Sequence, residues 1–474
     1  MTPYRLRLVL IAIGGAYMAA PAPRTVVAAT APSFVFVIVD DLDEASVTQL
    51  PRLDQLARQG LRFTNAFSST PICCPSRVSM LRGEYTHNHT ISFNFDSRGT
   101  CSERFRELGY EHTSLGAWLQ AAGYRTGWIG KYLNRYPGAR TDPGYVPAGW
   151  DDWHVPIFAG AASDYFDYSL NENGRIVSYG SGAQDYSTDV LADRAEAFIR
   201  SSGDTPFFLQ LNPAAPHRPA VPAPRHLGSF AELLAPRTPS FNEADMSDKP
   251  VWYQRSLTPM SERDIAGVDA LYRDRLRSML SVEELLQRVD DALLATGRSD
   301  NTYVIFTSDH GFHLGQHRFR QGKGTPYEPS LRIPLIMRGP QVPVGVDLAH
   351  LVSNVDLPAT IAELAGIAIP GDGRSVVPLL SDRPPEPGSW RSELLLEHPT
   401  NSDGDDEDGI PSWWGLRTLD STYVEYETGE VEYYDLRTDP DQLESLHDRT
   451  DPGLLDDLAR RLAAKRSCSG ANCG

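Results

Sequence analysis

Phe34-Val35-Phe36-Val37-Ile38-Val39 is an unbroken run of β-branched and aromatic residues that stops at Asp40-Asp41. A strand with one wet face alternates apolar and polar residues, whereas an unbroken apolar run suits a strand buried on both faces. Such a strand needs helices packed over each side, which points to an α/β fold. Residues 52–59 read as a helix with Leu53 and Leu56 inward and Gly60 at its C-terminal end. Val282, Leu285, Leu286, Val289 and Leu293 share one helical face, closed by Gly297. Further strands are predicted at 124–129, 207–211, 303–306 and 333–337. The expected architecture is a large, mainly parallel sheet flanked by helices.

The residues that follow these strands carry chemistry. The first strand ends in Asp40-Asp41, the second in Gly130-Lys131, the third runs into Pro216-His217, and the fourth ends in Asp309-His310. In open α/β sheets the ligand crevice lies outside the carboxyl ends of the strands. One sheet edge is therefore expected to gather Asp40, Asp41, Lys131, His217, Asp309 and His310. Adjacent carboxylates repel one another and need a cation or a basic partner. A solvated turn is the bland reading of Asp40-Asp41 alone. With Asp309 added, three carboxylates suggest a hard divalent cation, calcium before magnesium. No Cys/His spacing suggests a zinc finger.

Segment 212–280 is Pro-rich with little periodicity and is expected to form long loops over the sheet. A linker is expected at 384–388. Beyond it, 422–426 and 431–434 flank Thr428-Gly429 as a hairpin, and Leu454, Leu455, Leu458 and Leu462 line a closing helix. The expected organisation is a leader over 1–31, a catalytic domain over 32–380, and a smaller C-terminal α+β subdomain over 390–474 on a short antiparallel sheet. The acidic run 403–408 reads as a solvated loop rather than a second calcium site.

The net charge of −18 argues against nucleic acid or an anionic membrane surface as a partner. An anionic small substrate would need a local cluster of Arg, Lys and His. Arg5 and Arg7, the apolar stretch 8–20 and the small residues around Ala28 and Ala31 form a secretory signal pattern. The apolar stretch is short for a membrane span, and no later segment approaches eighteen apolar residues. Export to the cell envelope or the outside, without stable membrane insertion, is the expectation. An exported chain with five cysteines leaves one over. Proximity suggests Cys468 with Cys473 and Cys74 with Cys101, which leaves Cys73, although sequence alone does not fix the pairing.

Cys73-Cys74-Pro75-Ser76-Arg77, with Leu81 and Gly83 at their later offsets, is the sharpest signal in the chain. Here the sequence resembles the sulfatase family, whose pattern is Cys, any residue, Pro, Ser, Arg, then Leu and Gly. Arg82 stands where Thr is usual. The resemblance spans about residue 33 to about residue 460 and implies that Cys73 is oxidised to formylglycine by a formylglycine-generating enzyme. One hydroxyl of the hydrated aldehyde would attack sulfur. The other would then expel sulfate and regenerate the aldehyde, a release step that Cys or Ser lacks.

The resemblance also assigns roles. It implies Asp40, Asp41, Cys73, Asp309 and His310 at the metal; many relatives carry Asn where His310 stands, and a hydrogen bond from His310 to the sulfate is the alternative to ligation. Arg77 would brace the nucleophile. Lys131 would help hold the sulfate, and His217 and Lys323 would touch the bridging oxygen and protonate the leaving alcohol. Relatives often carry His where this chain has Leu133, so Asn134, His87 or His89 are candidate substitutes, each with core packing as the alternative. His317 is a further candidate for substrate contact. Within the family the nearest resemblance is to glucosamine-6-sulfatases. It rests on His87-Asn88-His89, Gly130-Lys131-Tyr132-Leu133-Asn134 and Ala235-Pro236-Arg237, and it implies a sulfated sugar, such as 6-O-sulfated N-acetylglucosamine.

Two other readings stay open on these residues. A phosphonate or phosphodiester hydrolase shares the scaffold, and His310 after Asp309 is compatible with one. A non-catalytic binder of sulfated glycans would keep the pocket and leave Cys73 as a thiol. The absence of a Gly-x-Ser-x-Gly elbow argues against an ordinary serine hydrolase.

Overall fold

The structure is a computed structural model that describes residues 31–96, 99–157, 164–400 and 409–474. The expected leader and the acidic run 403–408 lie outside the described residues. A ten-stranded sheet forms the body of the fold. Its order is Val346–Ser353, Leu61–Phe67, Leu335–Arg338, Thr302–Ser308, Ser33–Val39, Phe207–Asn212, Arg125–Gly130, Asp152–Pro156, Ser169–Glu172 and Arg175–Ser178.

The middle of the sheet is parallel. Ser33–Val39 pairs in parallel with Thr302–Ser308 on one side and with Phe207–Asn212 on the other, and Phe207–Asn212 pairs in parallel with Arg125–Gly130. Antiparallel pairing involves Leu335–Arg338 and the outer pairs from Asp152–Pro156 to Arg175–Ser178. The unbroken apolar run explains the centre. Val35, Val37 and Val39 pack into a core on one face, while Phe34, Phe36 and Ile38 pack into another on the opposite face. A fully buried aliphatic or aromatic side chain contributes about 1.5–3 kcal/mol relative to leaving it in water, so this strand anchors the sheet.

One expectation needs correction. Within the segment 212–280 expected to be loop, residues from 262 onward belong to the long helix Glu262–Ala295. A reciprocal pair starts it: Ser261 N–H donates to Asp264 Oδ2 at 3.0 Å and Asp264 N–H to Ser261 Oγ at 3.3 Å. Val268, Tyr272, Leu276 and Met279 then continue the buried face of Val282 to Leu293. Interspersed Arg, Asp and Gly hid that face in the sequence. The segment also holds the short helix Val251–Ser256.

The C-terminal part carries a four-stranded antiparallel sheet of Leu394–His398, Trp413–Arg417, Ser421–Tyr426 and Val431–Asp435, with the helix Pro452–Lys465 against it. The stretch expected as a linker runs into a short helix, Pro387–Trp390. The buried Trp390 indole donates from Nε1 to the Leu351 carbonyl at 3.2 Å, so this stretch is packed onto the large sheet. Among the described residues no helix is long and apolar enough to cross a membrane.

Candidate active site

The carboxyl ends of the central parallel strands converge. Asp40 and Asp41 follow Ser33–Val39, Asp309 and His310 follow Thr302–Ser308, and Lys131 follows Arg125–Gly130. Gly130 makes the last of these possible: its φ is +102°, and a Cβ there would lie 2.0 Å from the Asn212 carbonyl oxygen. The Lys131 N–H donates to that same carbonyl at 2.7 Å. Cys73 opens the buried helix Cys73–Arg82. Ser76 on its first turn donates from Oγ to the Asp309 carbonyl at 2.5 Å and accepts from Asn354 Nδ2 at 2.9 Å.

The charges interlock. Asp41 has φ +72°, and its N–H donates to Asp309 Oδ1 at 3.0 Å. Arg77 Nε donates to Asp309 Oδ2 at 3.0 Å, and its Nη2 lies 3.8 Å from Asp40 Oδ1. Lys131 Nζ donates to Asp40 Oδ2. Lys323 Nζ lies 2.7 Å from Asp41 Oδ1 and 3.0 Å from Cys73 Sγ. His310 Nε2 lies 3.4 Å from Cys73 Sγ and 3.3 Å from Asp41 Oδ1. His217 Nε2, on the solvent side, stands 3.9 Å from Asp41 Oδ2. Both imidazoles give their Nδ1–H to a backbone carbonyl, His310 to Gly311 at 2.8 Å and His217 to Arg218 at 2.7 Å. A carbonyl only accepts, so Nδ1 carries a proton in each ring and Nε2 is the nitrogen that faces the site.

Burial and charge compete in the ionisation of this cluster. Burial opposes the charge on Asp40, yet Lys131, His217 and Arg77 hold its carboxyl well below the usual range. Asp41 is lowered likewise, by Lys323, His217 and His310 against burial. Lys131 and Lys323 are raised against their own burial, chiefly by Asp40 and Asp41 respectively. Burial pushes the Cys73 thiol up to about 12 despite the two lysines. A thiol held protonated is a poor nucleophile at neutral pH.

Two overlapping groups of side chains could hold a metal ion. Donor atoms of Asp40, Cys73, Asp309 and His310 lie within 4.8 Å of one another, and so do those of Asp40, Asp41, Cys73 and His217. Asp40 Oδ1 is buried without a hydrogen-bond partner, as are both terminal nitrogens of Arg77. A buried carboxylate oxygen without a hydrogen-bond partner is costly, and a bound cation would relieve that cost.

The cluster opens into a cleft of about 830 Å³, lined by Asp41, His217, Trp252, Phe312, Phe319 and Lys323 among others. Over this geometry the chain matches the Sulfatase family across residues 32–367. The chain belongs to the sulfatase family. Residues 315–467 match the C-terminal region of N-sulphoglucosamine sulphohydrolase. The Homo sapiens N-acetylglucosamine-6-sulfatase is 34% identical over 480 residues, which cover 93% of this chain and 86% of that protein. A Caenorhabditis elegans protein, a putative extracellular sulfatase Sulf-1 homolog, is 36% identical over 379 residues, 77% of this chain. The chain spans 52% of the length of that nematode relative. A solved structure described as in complex with its substrate D-glucosamine-2-N,6-O-disulfate superposes with a TM-score of 0.76 at 24% identity, covering 91% of this chain and 97% of that one.

Not every expected residue of this sulfatase-family chain reaches the cluster. His87 Nδ1 donates to Glu397 Oε2 at 3.1 Å, and its Nε2 donates to the Cys468 carbonyl at 3.0 Å. His89 is fully buried, with Nε2 3.1 Å from Ser79 Oγ and Nδ1 accepting from the Ile91 N–H. His317 is buried, bonds Glu243 Oε2 at 2.7 Å and stacks on Tyr327 with ring centroids 4.1 Å apart. Leu133 is in the hydrophobic core, and Asn134 Oδ1 is buried without a partner. Cys74–Cys101 and Cys468–Cys473 are disulfides, which leaves Cys73 as the free cysteine.

Two site residues carried no sequence signal. Asp164 lies close enough to His217, Lys131 and Asp40 to feel their charges. Arg275, buried on the long helix, donates to the Asp41 carbonyl and to that of Pro216, tying these two turns together. Nothing local to 164 or 275 distinguishes these side chains from surface charges.

Proposed function

We propose that the protein hydrolyses sulfate esters of a saccharide, with 6-O-sulfated N-acetylglucosamine as the first candidate, through a formylglycine made from Cys73. The observation that carries this reading is the ring of Arg77, Lys131, His217 and Lys323 around Cys73, set against three buried carboxylates. The three permanent cations balance Asp40, Asp41 and Asp309. A sulfate ester adds a negative charge, which a divalent cation held by Asp40, Asp41, Asp309, His310 and the residue-73 side chain would offset. Calcium suits oxygen-rich ligation, with magnesium the second choice.

When present, that cation lowers the pKa of the nucleophile and polarises the sulfate oxygens. The hydrated aldehyde supplies two hydroxyls on one carbon, one to attack sulfur and one to release it. The chain's own groups do the rest. Arg77 keeps Asp309 and Asp40 in place. Lys131 and Lys323 neutralise the sulfate oxygens. Lys323 and His217 stand on the cleft side of Cys73, where the leaving alcohol takes its proton. Preorganised charges of this kind are worth several kcal/mol in a water-poor pocket.

Residues 32–380 would be the catalytic domain and 390–474 a subdomain that closes it, with export directed by the leader. The raised thiol of Cys73 argues against direct attack by an unmodified thiolate. The deciding experiment is the mass of the tryptic peptide holding residue 73, taken from an exporting host that carries that enzyme. Exchange of sulfur and two hydrogens for oxygen, together with turnover of aryl sulfate over aryl phosphodiester, is expected. An intact thiol in protein that hydrolyses sulfate, or a preference for the phosphodiester, would overturn the proposal. A panel of sulfated saccharides then ranks substrates.

A further inference from the structure

The C-terminal sheet touches the segment that carries Lys323. Trp413, on the strand Trp413–Arg417, is fully buried and donates from Nε1 to the Gly324 carbonyl at 2.7 Å. Gly324 follows Lys323, whose Nζ lies 3.0 Å from Cys73 Sγ and 2.7 Å from Asp41 Oδ1. The segment is pinned at its other side as well: the His313 N–H donates to the Gly322 carbonyl at 2.8 Å, and His313 Nε2 meets Thr325 Oγ1 at 2.7 Å.

The backbone here needs external support. Gly324 has φ +89°, and a Cβ added to it would lie 3.2 Å from Ile410 Cδ1 and 3.5 Å from His398 Cε1. Trp413, Ile410 and His398 all come from the C-terminal part and form the floor under this peptide. A lysine has four rotatable bonds, so a fixed ammonium requires a fixed backbone beneath it.

We infer that Trp413 is a positioning residue for Lys323: its indole N–H holds the Gly324 carbonyl and thereby aims the ammonium at the oxygen of the leaving alcohol. The inference rests on the sulfatase reading above and extends it to the C-terminal sheet, which becomes part of the proton-delivery apparatus. A general acid matters most when the leaving group is a poor one. Loss of the indole N–H therefore has a signature that loss of bulk packing lacks.

The test compares kcat on 4-nitrophenyl sulfate and phenyl sulfate for the converted, cation-loaded enzyme and for its Trp413→Phe, Gly324→Ala and Lys323→Ala variants. Trp413→Phe keeps an aromatic ring in the core and removes the donor. It is expected to lower kcat on phenyl sulfate about tenfold more than on 4-nitrophenyl sulfate, with KM changed less than about twofold. Lys323→Ala is expected to show the same steepening in larger degree. If Trp413→Phe does not accumulate as folded protein, Gly324→Ala, which displaces the same peptide, carries the comparison. Steepening with Lys323→Ala but an equal loss, or none, on both esters with the other variants would overturn the inference alone. An equal loss on both esters with Lys323→Ala itself would overturn the acid role of Lys323 and the inference with it.

Discussion

Arg77 donates from Nε to Asp309 Oδ2 at 3.0 Å, and both side chains are shut off from solvent. The guanidinium is thus the main counter-charge for a carboxylate in the centre of the protein, with its other two nitrogens unpartnered. Removing one member of a buried ion pair costs about 3–5 kcal/mol because the remaining charge stays desolvated. Arg77→Met is expected to lose about that much in urea unfolding after chelator treatment. Calcium should narrow the gap, since a cation bound beside Asp309 and Asp40 compensates both. A deficit that calcium leaves untouched would argue that the carboxylates do not share a metal.

The proposed cation has its own test. Chelation is expected to abolish turnover, and calcium to restore it ahead of magnesium. Asp309→Asn, nearly the same shape with one charge less, should weaken calcium binding by about tenfold or more as measured by calorimetry on the purified protein. Unchanged calcium affinity in this variant would remove Asp309 from the ligand set.

Much of the site was legible because buried parallel strands have a direction. Once the run from Phe34 to Val39 was placed in the middle of a sheet, Asp40, Asp41, Asp309 and Lys131 had to emerge at one edge. The Cys73 motif needed no fold at all, being local and rigidly spaced. Trp413, Asp164 and Arg275 were not legible, because each acts on a partner far away in the chain, and pairings across 89 or 234 residues leave no periodic trace. The helix start at Ser261 was missed for a different reason: its polar residues face solvent and diluted the apolar period. His87 is a site candidate in the sequence because Leu133 stands where relatives often carry His, and only the tertiary structure shows what His87 holds.

His87 fastens the C-terminal disulfide loop. It bridges Glu397 and the Cys468 carbonyl, while the neighbouring Asn88 donates to the same carbonyl at 3.0 Å and to Asp372 Oδ2 at 2.8 Å. His87→Ala is expected to cost about 1–3 kcal/mol in unfolding, because it strips a buried carboxylate of a partner. KM on an aryl sulfate should be unchanged. A KM rise with unaltered stability would return His87 to the substrate site.

Glu243 gives the fold a pH dependence of its own. The carboxyl is buried beside His317 and Lys249, at 2.7 and 3.4 Å. Burial raises it from 4.5 to about 7, with Asp248 and Asp439 adding to the rise and Lys249 only partly offsetting it. His317 is pushed down to about 3 by burial, so the ring is neutral and its Nδ1–H donates to the carboxyl. A folded-state pKa above the unfolded value means the unfolded chain releases its proton first as pH rises. The stabilisation is complete below 4.5 and is lost as pH climbs through about 7. The shift corresponds to about 3 kcal/mol. Glu243→Gln, which cannot ionise, should lack this loss. Urea unfolding of the two proteins at about pH 4.5 and about pH 8 should show the variant gaining on the native chain by about 3 kcal/mol between the two conditions. A stability difference that does not move with pH would mean that the carboxyl titrates near its ordinary value and that the Lys249 ammonium fully neutralises it.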